Sequence, residues 1–241
     1  FFILNEIILI SGNKNQLITN KGNKVGELSF HSLDYNKTLR IKNLKKKFIV
    51  FFDTPTPFFF DDFETMYDNS FKEKKINNIR EHYKKLNHFL KSIEKTYSQK
   101  VIIVPHPKVR SIKNPFYDKN FYIDKRVDAA AKLIGETKFI ICAAPSTVIT
   151  YAIATYRPIL ILTGRGFKDS KQSIKTNKFG TEIMSNFLSC KTLDYETEIT
   201  KKIKINVNRK KYDQYKYQYL TSKKISKTEN CKIIHNLMKK W

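Results

Sequence analysis

The sequence is short of the residues that mark most recognisable chemistries. Three cysteines, Cys142, Cys190 and Cys231, are spread over 241 residues without a C-x-x-C pair. Odd in number and far apart, they suit ordinary thiols in a reducing compartment and imply neither a zinc site nor a disulfide framework. The histidines His31, His82, His88, His106 and His235 lack metal-ligand spacing, so no metal or cofactor is expected. No G-x-x-x-x-G-K-[ST], G-x-S-x-G or full G-x-G-x-x-G occurs, which removes the P-loop, the nucleophile elbow and the dinucleotide fingerprint. Long apolar runs are missing too. Phe1 to Ile10 is broken by Asn5 and Glu6 and closed by Gly12-Asn13-Lys14, well short of the roughly 20 residues that span a bilayer. It has neither the basic start nor the cleavage site of a signal peptide. A cytoplasmic location follows as the expectation, with contact at a membrane face left open. The start at Phe1-Phe2-Ile3-Leu4, without an initiator Met, suggests a piece of a longer protein.

Acidic residues and arginine are also scarce. Lys and Arg total 46 against 22 Asp and Glu, a formal charge of +24. That excess invites a nucleic-acid reading. Only seven of the basic residues are Arg, however (Arg40, Arg80, Arg110, Arg126, Arg157, Arg165 and Arg209). Arg is the usual base reader and phosphate fork. Excess Lys, Asn and Ile is also what an AT-rich genome would produce without any selected partner. A basic face toward anionic lipid or anionic glycan is preferred over nucleic acid.

What is present is a core. Hydrophobic residues make up 41% of the chain and aromatics 13%, enough for a folded α/β domain. Phe48-Ile49-Val50-Phe51-Phe52, Val101-Ile102-Ile103-Val104, Phe139-Ile140-Ile141-Cys142 and Pro158-Ile159-Leu160-Ile161-Leu162 are continuous apolar runs, suiting strands buried on both faces. Ile7 to Ile10 is a further strand candidate, and Lys202–Val207 a possible last one. Between them, Ile79, Tyr83, Leu86, Phe89, Leu90, Ile93 and Tyr97 recur at steps of three and four. They predict a long helix covering one sheet face, with His82 and His88 on its polar, solvent-facing side. Asp128–Ile134 reads as a helix capped by Gly135, Ser146–Tyr156 as an apolar helix and Lys171–Leu188 as a weaker one. Tyr212, Tyr215 and Tyr219 mark a further helix, and Ile233 to Trp241 the last. Strands alternating with helices predict a Rossmann-like doubly wound parallel sheet. The expected organisation is a tail of a preceding domain and connector over 1–47, a nucleotide-sugar-binding domain over 48–208, and packing helices over 209–241.

Right-handed crossovers place the loops after these strands along one edge. His106, between Pro105 and Pro107, leaves the second strand with its backbone fixed and its ring directed outward. There an imidazole can donate to a phosphate oxygen, or simply cap a loop. Ser146 and Thr147 follow Ala143-Ala144-Pro145 and open a helix, where hydroxyls and unpaired N–H groups suit a phosphate and also suit plain capping. Lys108 and Arg110 are candidates for the same anion. Asp53 ends the first strand, positioned to bind a ribose hydroxyl or to orient the His loop, although turn chemistry before Pro55 explains it almost as well. Gly164-Arg165-Gly166 is a third loop on that edge. Asp61 and Asp62 are adjacent, with nothing to make them a catalytic pair.

From about His31 onward the chain resembles the C-terminal half of GT-B glycosyltransferases that build bacterial surface polysaccharides. The stretches that carry this are His31-Ser32-Leu33-Asp34-Tyr35, the strand ending at Asp53 with its Pro-rich, Asp-bearing loop, Val104-Pro105-His106-Pro107, and Pro145-Ser146-Thr147 with Tyr151-Ala152-Ile153 and Arg157-Pro158-Ile159. The His-Pro and Ser-Thr elements look like those of CMP-sugar users of the sialyltransferase and Kdo-transferase type. The resemblance implies that His106 assists departure of the CMP phosphate, that Ser146 and Thr147 bind it, and that Pro107, Gly164 and Arg165 help hold nucleotide or sugar. It also implies a nucleotide-sugar donor and a glycan or lipid-linked acceptor. The chain departs from the pattern at Phe58-Phe59-Phe60-Asp61-Asp62, where the relatives carry a His-Pro-Asp-like turn. Their general base usually belongs to the N-terminal domain, most of which this chain lacks. Alternatives are a polyol-phosphate transferase or sugar-nucleotide epimerase on the same scaffold, and a basic nucleic-acid-binding module.

Overall fold

A computed structural model of the chain describes residues 6–11, 25–54, 72–142, 147–164 and 171–239. Two short strands come first, β1 (Glu6–Ser11) and β2 (Val25–Phe30), paired in parallel with Glu6 opposite Val25. The sequence signals only the first of them. Helix α1 (Leu33–Thr38) follows, its first turn capped by Ser32 Oγ, which accepts from the Tyr35 N–H at 3.3 Å.

The main sheet is built from β3 (Phe48–Phe52), β4 (Val101–Val104), β5 (Tyr122–Ile123), β6 (Thr137–Cys142), β7 (Ile159–Thr163) and β8 (Lys191–Asp194). Every pairing is parallel, in the spatial order β5-β4-β3-β6-β7-β8. The chain starts in the middle, winds out to one edge, returns past β3 and winds to the other. This is the Rossmann-like doubly wound order, and it fixes a reversal point between β3 and β6. The helices between the strands are α2 (Lys72–Tyr97), α3 (Ala129–Ile134), α4 (Ile149–Ala154) and α5 (Lys171–Leu188). Beyond β8 come α6 (Arg209–Tyr215), continued by a π-type turn over Lys216–Leu220, and α7 (Asn230–Met238).

The period of two along each strand sorts side chains between two cores. Ile49, Phe51, Val101, Ile103, Ile141 and Leu160 meet α2 on one face. Val50, Phe52, Ile102, Val104, Ile140 and Ile161 meet α3, α4 and the C-terminal helices on the other. Burial on both sides is why these runs are uninterruptedly apolar.

Three expectations need correction. The last strand is β8, not Lys202–Val207. In that stretch Ile203 and Ile205 pack on the α2 core, but the backbone finds a side chain instead of a strand: the Ile203 N–H donates to Tyr97 Oη at 2.9 Å and the Ile203 carbonyl accepts from it at 2.8 Å. The helix expected from Ser146 begins at Ile149, with Thr147 and Val148 in a turn before it. Gly135 is the C-cap of α3, as the sequence indicates, with an ordinary φ of −60°. Glycine is required there for closeness, since a Cβ would sit 2.5 Å from the Lys42 carbonyl oxygen. His82 is buried within α2, not solvent-facing. It lies four residues before Leu86, on the stripe that packs, and Tyr195 covers it from the far side with Oη 3.0 Å from His82 Nδ1.

Residues 31–44, part of the stretch over 1–47 read from sequence as the tail of a preceding domain and connector, pack into the second core through Tyr35, Leu39 and Ile41. The C-terminal segment clasps them. Tyr35 Oη donates to the Ser226 carbonyl at 2.9 Å, Arg40 forks onto Glu229 at 2.9 and 2.6 Å, and the His31 N–H donates to Asn230 Oδ1 at 3.0 Å.

Candidate functional site

The reversal point of the sheet is occupied by a cleft of about 320 Å³ at the C-terminal ends of β3 and β4. Phe52 and Asp53 form its base, and Val104, Pro105, His106 and Pro107 one side. Thr147, Val148 and Tyr151 enter from the start of α4. Asp34 and Lys37 reach in from α1, and Arg126, Asp128 and Ala129 from the start of α3. Crossovers of opposite sense diverge at this point and leave room between the loops, which is why ligands of doubly wound folds bind there.

Of the cleft cations, Lys37 pairs with Asp128 at 2.6 Å. Arg126 forks onto Asp124, with Nη2 2.6 Å from Oδ2 and Nε 2.9 Å from Oδ1. The hydrogen bonds from Arg126 hold the buried Asp124 carboxyl below its usual range, and those from Lys37 do the same for Asp128. Arg110 carries no ion pair among the described residues and stands half-buried at the margin with its donors available. The 3₁₀ turn over Pro107–Val109 sets this loop, its Val109 N–H donating to the His106 carbonyl at 3.0 Å. An anion in the cleft would meet Arg110 and His106 from the loop after β4 and Thr147 from the turn before α4.

Asp53 joins the strand ends, its N–H donating to the Val104 carbonyl at 3.0 Å while its carboxylate accepts from the Thr54 N–H at 2.8 Å. Part of the residue opens to the cleft, but protein surrounds the carboxyl, and burial pushes it up to about 7. The buried Tyr117 hydroxyl faces this carboxyl and offsets part of the rise, and Tyr83 stands next to Tyr117. The base of the cleft therefore carries less negative charge than its composition suggests, which favours an anionic ligand.

His106, Pro107, Arg110, Asp53 and Thr147 thus line a single cleft. Gly164 does not. It ends β7 on the expected edge but is pressed beneath the Tyr195 ring, so its place in the fold is one of close packing. Ser146, Arg165, Asp61 and Asp62, and the side chain of Lys108, lie outside the described residues. Sequence reasoning gave no site role to Lys37, Arg126 or Asp128, and none to Asp34 and Tyr151 beyond their place in the stretches that carry the resemblance. Asp124-x-Arg126 was the one local signal, as the Asp124 carboxylate also accepts the Arg126 N–H at 3.0 Å in an Asx turn. Among the described residues no group of three His, Cys, Asp or Glu is placed to hold a metal ion.

His82 and Asp53 titrate in opposite senses over one pH range. Burial lowers His82 to about 4, so its neutral form belongs to the fold. That contribution is complete above pH 6.5 and is lost as pH falls toward 4. Asp53, raised to about 7, adds stability in acid that is lost as pH rises between about 4 and 7, so the wild type masks both. The difference in unfolding free energy between wild type and His82→Gln should change by about 3 kcal/mol between pH 7 and pH 4. Urea titrations at both pH values measure it, and a constant difference would contradict the buried neutral imidazole.

No family model matches the chain, and no curated protein matches it. Among solved structures it is similar to the spinosyn forosaminyltransferase SpnP, at 13% identity and a TM-score of 0.37, covering 90% of this chain and 47% of that one. It is also similar to the spinosyn rhamnosyltransferase SpnG complexed with spinosyn aglycone, at 10% identity and a TM-score of 0.32, covering 90% of this chain and 45% of that one. The chain spans about half the length of these structures.

Proposed function

We propose that this chain is the donor-binding half of a glycosyltransferase, holding the phosphate of a nucleotide-sugar over the strand ends for transfer to a surface-glycan acceptor. The observation that carries the reading is the convergence of His106, Arg110 and Thr147 on one cleft at the sheet's reversal point, above a carboxyl that burial raises to about 7. The donor is CMP-linked in this reading, on the strength of the Pro105-His106-Pro107 and Ser146-Thr147 elements.

When the bond between the anomeric carbon and the phosphate oxygen breaks, the electron pair stays on that oxygen. An imidazole N–H of His106 meets the growing charge, and the Arg110 guanidinium and Thr147 hydroxyl share it. Such groups are worth more to the departing phosphate than to the bound donor, so they speed the step as well as bind. The acceptor would be a lipid-linked glycan at an anionic membrane face, where the Lys-rich surface adds attraction. No helix among the described residues is long and apolar enough to cross the membrane.

Thermal unfolding with CMP, UDP and a CDP-polyol tests this. A true ligand at a hundred times its Kd should stabilise the chain by about 2.7 kcal/mol. His106→Ala and Arg110→Ala should each weaken it roughly 10- to 100-fold, the loss of one charge-assisted hydrogen bond. Stabilisation by none of the three, or affinity unchanged in both variants, would overturn the reading. A response to the CDP-polyol alone would favour a polyol-phosphate transferase. Tight, steeply salt-dependent RNA binding indifferent to His106→Ala would favour a nucleic-acid module.

A further inference from the structure

A second groove, of about 630 Å³, opens beside the cleft and shares Asp34, Lys37 and Thr147 with it. Its size suits a small organic ligand. Its character differs from that of the cleft. Tyr215 and Tyr219 line it, their ring centroids 5.0 Å apart, and Phe187 packs against both at 5.9 and 6.2 Å. Leu33 and Met184 add apolar surface, and Ser32 and Thr150 add hydroxyls. Tyr219 remains 42% exposed and Leu33 76%, so this surface is open to a ligand.

Charge decides which ligand. Lys37, the cation bordering the groove, is already engaged by Asp128 at 2.6 Å. That leaves the groove with the Asp34 carboxylate and, among the described residues, no unpaired cation on its lining, whereas the cleft also has Arg110, and this balance opposes a phosphate in the groove. A neutral polyhydroxylated ring fits instead. Its C–H face can lie on a tyrosine, and its hydroxyls can donate to a carboxylate, which is an acceptor only.

Asp34 is also held in one orientation. Its Oδ1 accepts from Tyr151 Oη at 2.8 Å, and Tyr151 is 3% exposed, anchored in the core by α4. The other oxygen carries no hydrogen bond among the described residues. A carboxylate fixed through one oxygen, free at the other and standing where two cavities meet, is suited to take a proton.

We propose that this groove holds the acceptor sugar and that Asp34 is the general base for its attacking hydroxyl. The inference rests on reading the adjoining cleft as the donor site, and it places the base on α1, ahead of the main sheet, where the resemblance implied a base in a separate N-terminal domain. The acceptor oxygen forms its bond to the donor's anomeric carbon while its proton passes to Asp34 Oδ2. The anomeric bond to the phosphate oxygen breaks, and its electron pair leaves on the nucleotide, beside His106. One O–H and one C–O bond are lost; one C–O bond and a carboxylic acid are gained. Asp34 and His106 then serve the two ends of a single displacement.

The test uses the whole chain with CMP present and three probes: the 4-nitrophenyl β-galactoside, β-glucoside and β-N-acetylglucosaminide, followed by saturation-transfer NMR. At least one should bind, and Tyr219→Ala and Asp34→Ala should each weaken it tenfold or more. Asp34→Asn keeps shape and hydrogen bonding, so it should bind glycoside within about threefold of wild type. Its glycoside-dependent release of CMP from a CMP-sugar should still fall by 10²- to 10⁴-fold. Stabilisation by CMP should be unchanged in Tyr219→Ala, whose side chain lines the groove and not the cleft. Wild-type protein that ignores every nucleotide sinks the donor reading, and this inference with it. CMP binding that persists alongside absent glycoside binding, binding indifferent to both alanine variants, no glycoside-dependent CMP release by wild type, or undiminished release by Asp34→Asn sinks the acceptor assignment alone.

Discussion

Replacing Arg157 with alanine is expected to lower the unfolding free energy by about 4 kcal/mol. The side chain lies almost wholly out of solvent, at 5% exposure for the residue, and no carboxylate meets it among the described residues. Carbonyls take its charge instead. Nε donates to the Ile134 carbonyl at 3.1 Å, and Nη2 to the Gly135 carbonyl at 2.6 Å and to Asn43 Oδ1 at 2.7 Å. Ile134 and Gly135 end α3, where helix carbonyls lack partners and the dipole is negative, so a cation there is favourable despite its desolvation. Alanine strands the buried Ile134 carbonyl, takes from the Gly135 carbonyl one of its two donors (the Leu44 N–H stays at 3.0 Å) and leaves a void. The stranded group costs about 1–3 kcal/mol and the lost packing adds to it. Arg157→Lys reaches some of these acceptors and should recover about half the loss. Urea denaturation of the three proteins measures the effect. A loss under 1 kcal/mol for alanine would mean that water replaces the guanidinium without strain. The bonds tie residue 43, the end of α3 and the approach to β7 into one unit, so unfolding should remain a single transition in all three proteins.

The four central strands could be read from sequence because burial on both faces leaves no polar position to confuse the pattern. Phe48–Phe52 and Val101–Val104 show this. The edges of the sheet were hidden for the same physical reason. Lys191-Thr192-Leu193-Asp194 is an edge strand with exposed ends and an ordinary loop composition, and Tyr122–Ile123 has two residues. Ile203-x-Ile205-x-Val207 alternates as a strand should, yet Tyr97 answers its backbone. Local pattern reports which side chains are covered, not what covers them. The site divides along similar lines. His106, Arg110, Asp53 and Thr147 follow strand ends, so topology alone places them near one another. Asp34 and Lys37 belong to a helix ahead of the sheet. The Lys37–Asp128 pair joins positions 91 residues apart, and nothing local to either announces it. His82 was misplaced because its polarity was given more weight than its spacing from Leu86.

Gly164→Ala should destabilise the fold by about 4 kcal/mol, although the glycine touches no predicted ligand. Its φ of +152° is one that side-chain-bearing residues rarely adopt, a strain of about 1–3 kcal/mol. An added Cβ would lie 2.2 Å from Tyr195 Cε1 and 2.6 Å from Cδ1. Tyr195 cannot swing outward freely. It is 2% exposed, its N–H donates to the Thr163 carbonyl at 3.0 Å, and its hydroxyl lies 3.0 Å from His82 Nδ1. Forcing extra volume into such a site adds about 1–3 kcal/mol more. The two contributions can be separated by a double-mutant cycle with Tyr195→Leu. Shortening residue 195 relieves the clash but not the backbone strain, so the alanine should cost less than half as much in that background. The cycle has a second reading through acid stability. If Tyr195 shifts, the His82 imidazole loses its cover, and the pH-dependent difference attributed to His82 should shrink in Gly164→Ala. Full additivity in the cycle, with that pH dependence intact, would show that the loop after β7 moves instead of the ring.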